Sequence, residues 1–103
     1  MPTDRQVIAV IRNGDVAAFD VLVDRHYDSL VRHLTARTAD PEVALDIAQE
    51  TFVAAFRDLD TFDGRGTFAV WLYGIAHNRL RMHWRRQRLR RLISLDWLTG
   101  AAR

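Results

Sequence analysis

Hydrophobic residues recur at steps of three and four along most of the chain, which is the period of an α-helix. The pattern predicts four helices, at about residues 4–12, 15–37, 41–59 and 67–91. No segment shows the alternation of apolar and polar residues that is typical of a β-strand. We therefore predict an all-α fold, a compact bundle of four helices.

The predicted helices begin and end at residues whose chemistry suits helix termini. The first helix is followed by an Asn-Gly pair ending at Gly14, which suits a left-handed turn, and Asp15 can cap the second helix. Asp40 and Pro41 form an N-cap followed by proline at the first helical position. Thr67 is the expected N-cap of the fourth helix.

Each of the three longer helices has an apolar face that we expect to be buried. In the second helix this face comprises Phe19, Leu22, Val23, Tyr27, Leu30, Val31 and Leu34. In the third it comprises Leu45, Ala48, Phe52, Ala55, Phe56 and Leu59. In the fourth it comprises Phe68, Leu72, Ile75 and Met82.

Composition narrows the class of protein. A chain of 103 residues with 49% hydrophobic residues suits one small domain, and the absence of cysteine excludes disulfides and thiolate chemistry. No segment resembles a signal peptide or a membrane span, so we expect a soluble, cytoplasmic protein without membrane insertion.

Charge is strongly segregated although the net charge is only +2. Residues 40–60 carry six acidic residues and one arginine, whereas residues 79–91 carry seven arginines and no acidic residue. A helix that starts as core and ends as a cationic rod is suited to a polyanion, which points towards nucleic acid.

The third helix places Asp46, Gln49 and Glu50 on one side, which we call the acidic patch. Such a patch can accept hydrogen bonds from arginine side chains of a partner. On spacing alone, an ordinary solvated face is the favoured alternative.

Two glycines make residues 62–66, the glycine loop, a candidate ligand site. Glycine permits close backbone approach, Asp63 can accept a hydrogen bond from a base amino group, and Arg65 can hold a phosphate. The loop comprises Phe62, Asp63, Gly64, Arg65 and Gly66. The alternative is a simple connector whose Phe62 packs on the core.

Aromatic, amide and cationic groups share one side of the fourth helix, which we call the polar stripe. It comprises Trp71, Gly74, Asn78, Arg81, Arg85 and Arg88. Aromatic rings can stack on bases, asparagine can pair with a base edge and arginine can bind phosphate. Because Trp71 borders the core face, Tyr73 and His77 are the better candidates for exposed rings.

Nothing in the chain suggests an enzyme. The four histidines lack metal-ligand spacing, neither Ser29 nor Ser94 lies in a nucleophile elbow, and no glycine-rich phosphate loop is present. We expect no catalytic residue, metal or cofactor.

These segments, in this order, resemble region 2 of the σ70-type sigma factors, and specifically of the extracytoplasmic function (ECF) group. The resemblance runs from about residue 15 to residue 91 and rests on GDVAAFDVLVDRHYDSLVRHL, DPEVALDIAQETFVAAFRDLDTF and FDGRGTFAVWLYGIAHNRLRMHWRRQRLRR. Their combined order and spacing is highly specific for that family.

The resemblance implies a role in transcription initiation without bond chemistry. It places one set of residues at or beside the surface that docks on the clamp helices of the RNA polymerase β′ subunit: Asp46, Gln49, Glu50 and Phe52. It assigns the glycine loop to a pocket for a base flipped from the non-template strand of the promoter −10 element. Further DNA contacts fall to Trp71, Tyr73, His77, Asn78, Arg81 and Arg85, and an anti-sigma factor is an expected partner.

The chain departs from the family pattern in two places. Gly74 stands where the family often has a basic or larger residue. Family members also continue into a second domain that reads the −35 element. We therefore predict a region 2 domain at residues 1–92, the start of an interdomain linker at 93–103, and a fragment of a longer factor.

The sequence is compatible with two other functions. A small repressor would insert the basic helix into a duplex major groove and bind DNA without polymerase. An interaction module would dock a protein through the acidic third helix and carry the arginine run as a nonspecific DNA-binding or solvated tail.

Overall fold

The computed structural model describes the backbone of residues 1–100 and the side chains of residues 1–95 and 100. Four α-helices make up most of this part: α1 (Asp4–Arg12), α2 (Phe19–Thr38), α3 (Pro41–Arg57) and α4 (Phe68–Thr99). Two single turns of 3-10 helix lie between them, at Val16–Ala18 and Leu59–Thr61. Within the described residues there is no β-strand, and the predicted all-α bundle of four helices is confirmed.

The predicted caps of α3 and α4 are present. The Asp40 side chain accepts a hydrogen bond from the backbone N–H of Glu42 at 3.0 Å, and Pro41 is the first helical residue. The Thr67 hydroxyl oxygen likewise accepts from the backbone N–H of Val70 at 3.1 Å. Side chains next to each helix therefore satisfy backbone donors that the first turn leaves free.

The second and third helices are shorter than predicted. Asp15 makes no side-chain capping bond, and a 3-10 turn, in which Ala18 N–H donates to the Asp15 carbonyl at 3.1 Å, precedes α2. Gly14, at φ 111°, reverses the chain into this tighter turn. At its other end, α3 stops at Arg57 and a second 3-10 turn follows it.

The fourth helix is longer than predicted and continues through Thr99, past the expected end at Arg91. No glycine or proline interrupts residues 75–99, and leucine, arginine and glutamine favour helix, so nothing stops the helix at the predicted place. Most of the predicted linker at 93–103 is thus helical, while its residues 101–103 lie outside the described residues.

One hydrophobic core joins all four helices. Helix α3 packs against both α2 and α4, and α1 packs against α2. The predicted α2 face is confirmed: four of its residues are buried and the other three pack at the edge of the core. The buried four are Phe19, Leu22, Leu30 and Leu34.

The predicted α3 face is wrong at two positions, since Leu45 and Phe56 are 38% and 46% exposed. The other four predicted positions are buried as expected: Ala48, Phe52, Ala55 and Leu59. Small side chains such as Ala44 and Ala48 let α3 approach two neighbours. Hydrophobic size drew the prediction towards the large residues at the edge of the buried face.

On α4 the buried series runs at steps of four from Phe68 through Leu72 to Ala76 and Leu80. The predictions at Phe68 and Leu72 are confirmed. Ile75 and Met82, also expected inside, are only half-buried. A step of four follows the surface row along which packed helices interdigitate, so this row faces α3.

Candidate functional site

The acidic patch on α3 is open to solvent. Asp46, Gln49 and Glu50 are all exposed, and their side chains form no hydrogen bond or ion pair within the part of the chain that the structure describes. Their oxygen atoms are therefore available to donors of another molecule.

Phe52, grouped with the patch by the resemblance, lies elsewhere. Its side chain is only 6% exposed and stacks on Tyr27, with ring centroids 6.2 Å apart. A buried ring cannot touch a partner directly. Phe52 instead seats α3 on α2, which holds the acidic patch outward.

A cleft of about 400 Å³ runs beside the acidic patch and has mixed charge. Val53 and Arg57 extend it along α3, and Arg79 of α4 forms part of its wall. The Arg79 Nε atom is buried, with no hydrogen-bond partner among the described residues. Sequence reasoning missed Arg79 as a separate feature, because it counted this residue only within the basic run.

The glycine loop has a defined local geometry. The Asp63 carboxylate accepts a hydrogen bond from the backbone N–H of Arg65 at 2.9 Å and lies 3.5 Å from the Arg65 Nε atom. Gly64 and Gly66 adopt φ angles of 81° and 69°, a region that disfavours other residues. The two predicted ligand contacts, Asp63 and Arg65, thus pair with each other in the free protein while remaining exposed.

Phe62 and Trp71 pack together beneath the loop. Phe62 is buried, and its ring lies 5.3 Å from that of Trp71 and 6.1 Å from that of Phe68. Phe62 thus has the packing role that was the alternative to ligand contact. Trp71 keeps a partly exposed edge and links the loop to the start of α4.

Two arginines of α1 contact the glycine loop and the 3-10 turn that precedes it. Arg5 donates a hydrogen bond to the Gly64 carbonyl oxygen. Arg12 donates to the carbonyl oxygens of Leu59 and Phe62. Sequence reasoning missed both residues, since about fifty positions separate them from their partners and no local pattern marks such a contact.

The rest of the polar stripe lies on the surface of α4. Four exposed positions follow Gly74 along the same side, and the amide oxygen of Asn78 accepts a weak hydrogen bond from Arg81 at 3.4 Å. A Cβ atom added at Gly74 would meet no atom within 4 Å, so the stripe has open space there. The exposed residues are Gly74, Asn78, Arg81, Arg85 and Arg88.

The expectation that Tyr73 and His77 present exposed rings is wrong. Both are half-buried against α2. The Tyr73 hydroxyl lies 2.7 Å from the Ser29 hydroxyl, and His77 Nε2 lies 2.7 Å from His33 Nε2. These polar contacts join the two helices, so both rings help to hold α4 in place while remaining partly exposed.

The His33–His77 contact requires one imidazole nitrogen to accept a hydrogen bond, and therefore to be unprotonated. Burial lowers the pKa of His33, with further lowering from the positive charge of Arg37 and from His77. The two rings are stacked, with centroids 5.0 Å apart. If both rings were protonated, neither Nε2 atom could accept a hydrogen bond, and the contact would be lost.

We predict that acid weakens the domain through His33. Because the pKa of His33 lies below its ordinary value of 6.5 only in the folded state, the unfolded chain binds a proton first as the pH falls. The free energy of unfolding should therefore decrease as the pH falls through about 6.5 and level off below the lowered pKa. Thermal unfolding between about pH 8 and pH 5 measures this.

A His33→Gln variant is the control, since glutamine does not titrate and retains a donor and an acceptor. The stability difference between the wild type and this variant should narrow at acid pH. If the free energy of unfolding fell equally with pH in the wild type and in His33→Gln, the pH effect would not belong to His33.

Two other kinds of site are absent from the described residues. No three histidine, cysteine or acidic side chains come together there as a metal site. No described helix is long and apolar enough to cross a membrane.

One known protein family has a profile that spans the acidic patch, the glycine loop and the polar stripe. The Sigma-70 region 2 family profile matches residues 22–90, which cover most of α2, all of α3, the glycine loop and most of α4. The chain belongs to the sigma-70 region 2 family. The acidic patch, the loop and the polar stripe all lie inside this region 2 match, whereas α1 lies outside it.

Curated relatives support the same assignment. The chain is 36% identical over 80 residues to the RNA polymerase sigma-H factor of Pseudomonas aeruginosa, covering 78% of this chain and 42% of that protein. It is 40% identical over 76 residues to the ECF RNA polymerase sigma-E factor of Escherichia coli K12, covering 74% and 39%. The ECF RNA polymerase sigma-E factor of Haemophilus influenzae is 34% identical over 76 residues, covering 74% and 40%. This region 2 chain thus spans less than half the length of these relatives.

Proposed function

We propose that this domain acts in transcription initiation by binding core RNA polymerase and by recognising and melting the promoter −10 element. The observation that carries the proposal is the exposed polar stripe beside the glycine loop, in a chain of the sigma-70 region 2 family. On this proposal the domain acts in the cytoplasm, alongside the polymerase, and changes no covalent bond.

The acidic patch is the proposed docking surface for the β′ clamp helices. Two carboxylates and an amide stand free on one side of α3 and can accept bonds from arginine or lysine of the partner. Because the buried Phe52 seats α3 on α2, the patch is presented by a rigid element. A docking site that is already ordered loses little conformational entropy on binding.

The loop and the polar stripe are the proposed DNA surface. Extruding a base costs a few kcal/mol of lost stacking, and its capture beside the loop would offset that cost. On this proposal Asn78 contacts a base edge, and the arginines exposed on the same side of α4, Arg81, Arg85 and Arg88, contact phosphates along the strand. The domain would thus bind an open strand in preference to closed duplex.

A binding screen of this chain against single-stranded oligonucleotides with randomised −10 sequences tests the proposal. We expect a short preferred motif and weaker binding to the same sequence as duplex. Equal affinity for every sequence, or tighter binding to duplex, would contradict it. A duplex preference would instead support the repressor alternative.

We predict that salt weakens strand binding according to the arginines of the polar stripe. Each phosphate neutralised on a single strand contributes a slope of about −0.7 to a plot of log K against log salt concentration. Replacing Arg81, Arg85 and Arg88 together by alanine should make that slope shallower by about 2. Fluorescence anisotropy with a labelled oligonucleotide at several salt concentrations measures it.

The matched control removes three arginines from other sides of the same helix: Arg86, Arg90 and Arg91. Two of them, Arg86 and Arg90, line a second, smaller cleft that also borders the acidic patch. This triple variant should keep the wild-type slope. A flat salt response in the wild type, or equal losses in both variants, would remove the polar stripe from the DNA surface.

The alternative is an interaction module whose arginine run binds DNA without selection. The exposed, unpaired acidic patch fits both functions, so the two differ in the role of α4. An Asn78→Ala change that alters base preference while partner binding is intact would exclude the alternative. An anti-sigma factor covering these same surfaces is a further proposed partner.

A further inference from the structure

Helix α1 is anchored to the bundle by contacts that do not involve its two loop-binding arginines. Val7, Ile8 and Ile11 are buried in the core. The Asp4 carboxylate also lies 3.0 Å from Arg25 Nη1 and 2.8 Å from His26 Nε2, both on α2. Substitution of Arg5 or Arg12 thus leaves the anchor of α1 in place.

From this anchored helix, Arg5 and Arg12 extend to three backbone carbonyl groups. Their spacing of seven residues, two helical turns, puts both on one side of α1. Arg12 Nη2 donates to the Phe62 carbonyl oxygen at 2.5 Å and to that of Leu59 at 3.1 Å. Arg5 Nη2 donates to the Gly64 carbonyl oxygen at 2.5 Å.

These bonds act on a segment that needs an external restraint. Two glycines with positive φ give the loop a large conformational entropy to lose when it adopts one shape. Apart from the buried Phe62 ring, its internal restraint is the exposed Asp63–Arg65 contact. Hydrogen bonds from a guanidinium are stronger than neutral ones, so the α1 arginines are well suited to hold the loop.

We propose that Arg5 and Arg12 are positioning residues that set the shape of the glycine loop and thereby its choice of DNA base. The inference rests on the proposed function of the loop and adds to it a control element on α1. Since the family match begins at residue 22, it assigns no role to either arginine. Neither arginine needs to touch the base, because each acts through the loop backbone.

The test uses four forms of the 103-residue chain: wild type, Arg12→Ala, Arg12→Lys and Arg32→Ala. Arg32 is exposed, and its side chain forms no hydrogen bond or ion pair with the described residues. Arg32→Ala therefore reproduces the loss of one positive charge in Arg12→Ala without the loss of a loop contact. Binding is measured to single-stranded −10 oligonucleotides that carry each of the four bases at every position. Amide hydrogen exchange of residues 62–66 is measured without DNA.

We expect Arg12→Ala to lower the ratio between best and worst base about fivefold or more at the position that the loop selects. Affinity for the worst base, and selection at the other positions, should stay at wild-type values. Loop amides should exchange faster. Arg12→Lys keeps the positive charge but lacks the forked donors of a guanidinium, so its ratio between best and worst base should lie between those of the wild type and Arg12→Ala. Arg32→Ala should have the wild-type ratio.

The outcomes separate this inference from the function on which it rests. A wild type without base selection at any position would overturn both. A selective wild type whose ratio survives in Arg12→Ala would overturn the role of α1 alone. Equal losses in Arg12→Ala and Arg32→Ala would assign the effect to net charge and also overturn it. If Arg12→Ala does not fold, Arg12→Lys provides the test. Base selection and loop amide exchange at wild-type values in that variant would then overturn the role of α1.

Discussion

Replacing Asp46 and Glu50 by arginine is expected to weaken binding to a β′ clamp-helix fragment about 100-fold. Both carboxylates are exposed and lack a partner within the described chain, so they are free to pair with cations of the clamp. Charge reversal both removes these pairs and puts like charges in contact. Calorimetry or anisotropy with the isolated fragment measures the change.

The matched control reverses Asp24 and Asp28 on α2. These two acids are also exposed and also four residues apart on one helix, so the net charge change is identical. Binding by this variant should stay within about threefold of the wild type, the effect of a remote surface charge. Unchanged affinity after reversal at Asp46 and Glu50 would remove the docking assignment from the acidic patch.

Replacing Leu72 by alanine is expected to lower the free energy of unfolding by about 3–4 kcal/mol. Leu72 is fully buried, and its loss leaves a cavity where α4 meets the core. For a small domain this is a large part of a total stability of about 5–15 kcal/mol. The variant should therefore unfold at a markedly lower urea concentration than the wild type. Circular dichroism during a urea titration measures the difference.

Val70 provides the control on the same helix. It is 71% exposed, so Val70→Ala should change the free energy of unfolding by no more than about 0.5 kcal/mol. A Leu72→Ala variant as stable as Val70→Ala would show that the first half of α4 does not depend on the core. That half carries Trp71 and Asn78, and its seating therefore matters for the proposed DNA surface.

Much of the fold could be predicted because its signals are local. The caps at Asp40 and Thr67 bond to backbone groups two or three residues away. The apolar face of α2 follows from helical spacing alone, and the structure buries it as expected. The end of α4 was predicted too early because the residues after Arg91 lack a clear helical period, although no glycine or proline occurs among them before Gly100.

The candidate site was harder to predict, because residue type does not reveal burial. Phe52 and Phe62 were assigned to binding surfaces but lie in the core. Tyr73 and His77 lie off the buried row of α4, yet α2 covers them. Only the packing of a second helix shows which side of each ring is free. The roles of Asp46, Gln49, Glu50, the loop and the arginines of the polar stripe stay predictions.

The sequence by itself determined the helical class, the caps of α3 and α4, the family and the separation of acidic and basic segments. Each of these depends on residues close together in the chain or on a pattern along it. Only the tertiary structure decided that Arg5 and Arg12 bond to the glycine loop and to the 3-10 turn before it, across 47 to 59 residues of sequence. It also decided that Arg79 lies in the cleft beside the acidic patch. The reason is that such contacts arise from the mutual packing of helices, which local hydrogen bonding and helical spacing do not specify.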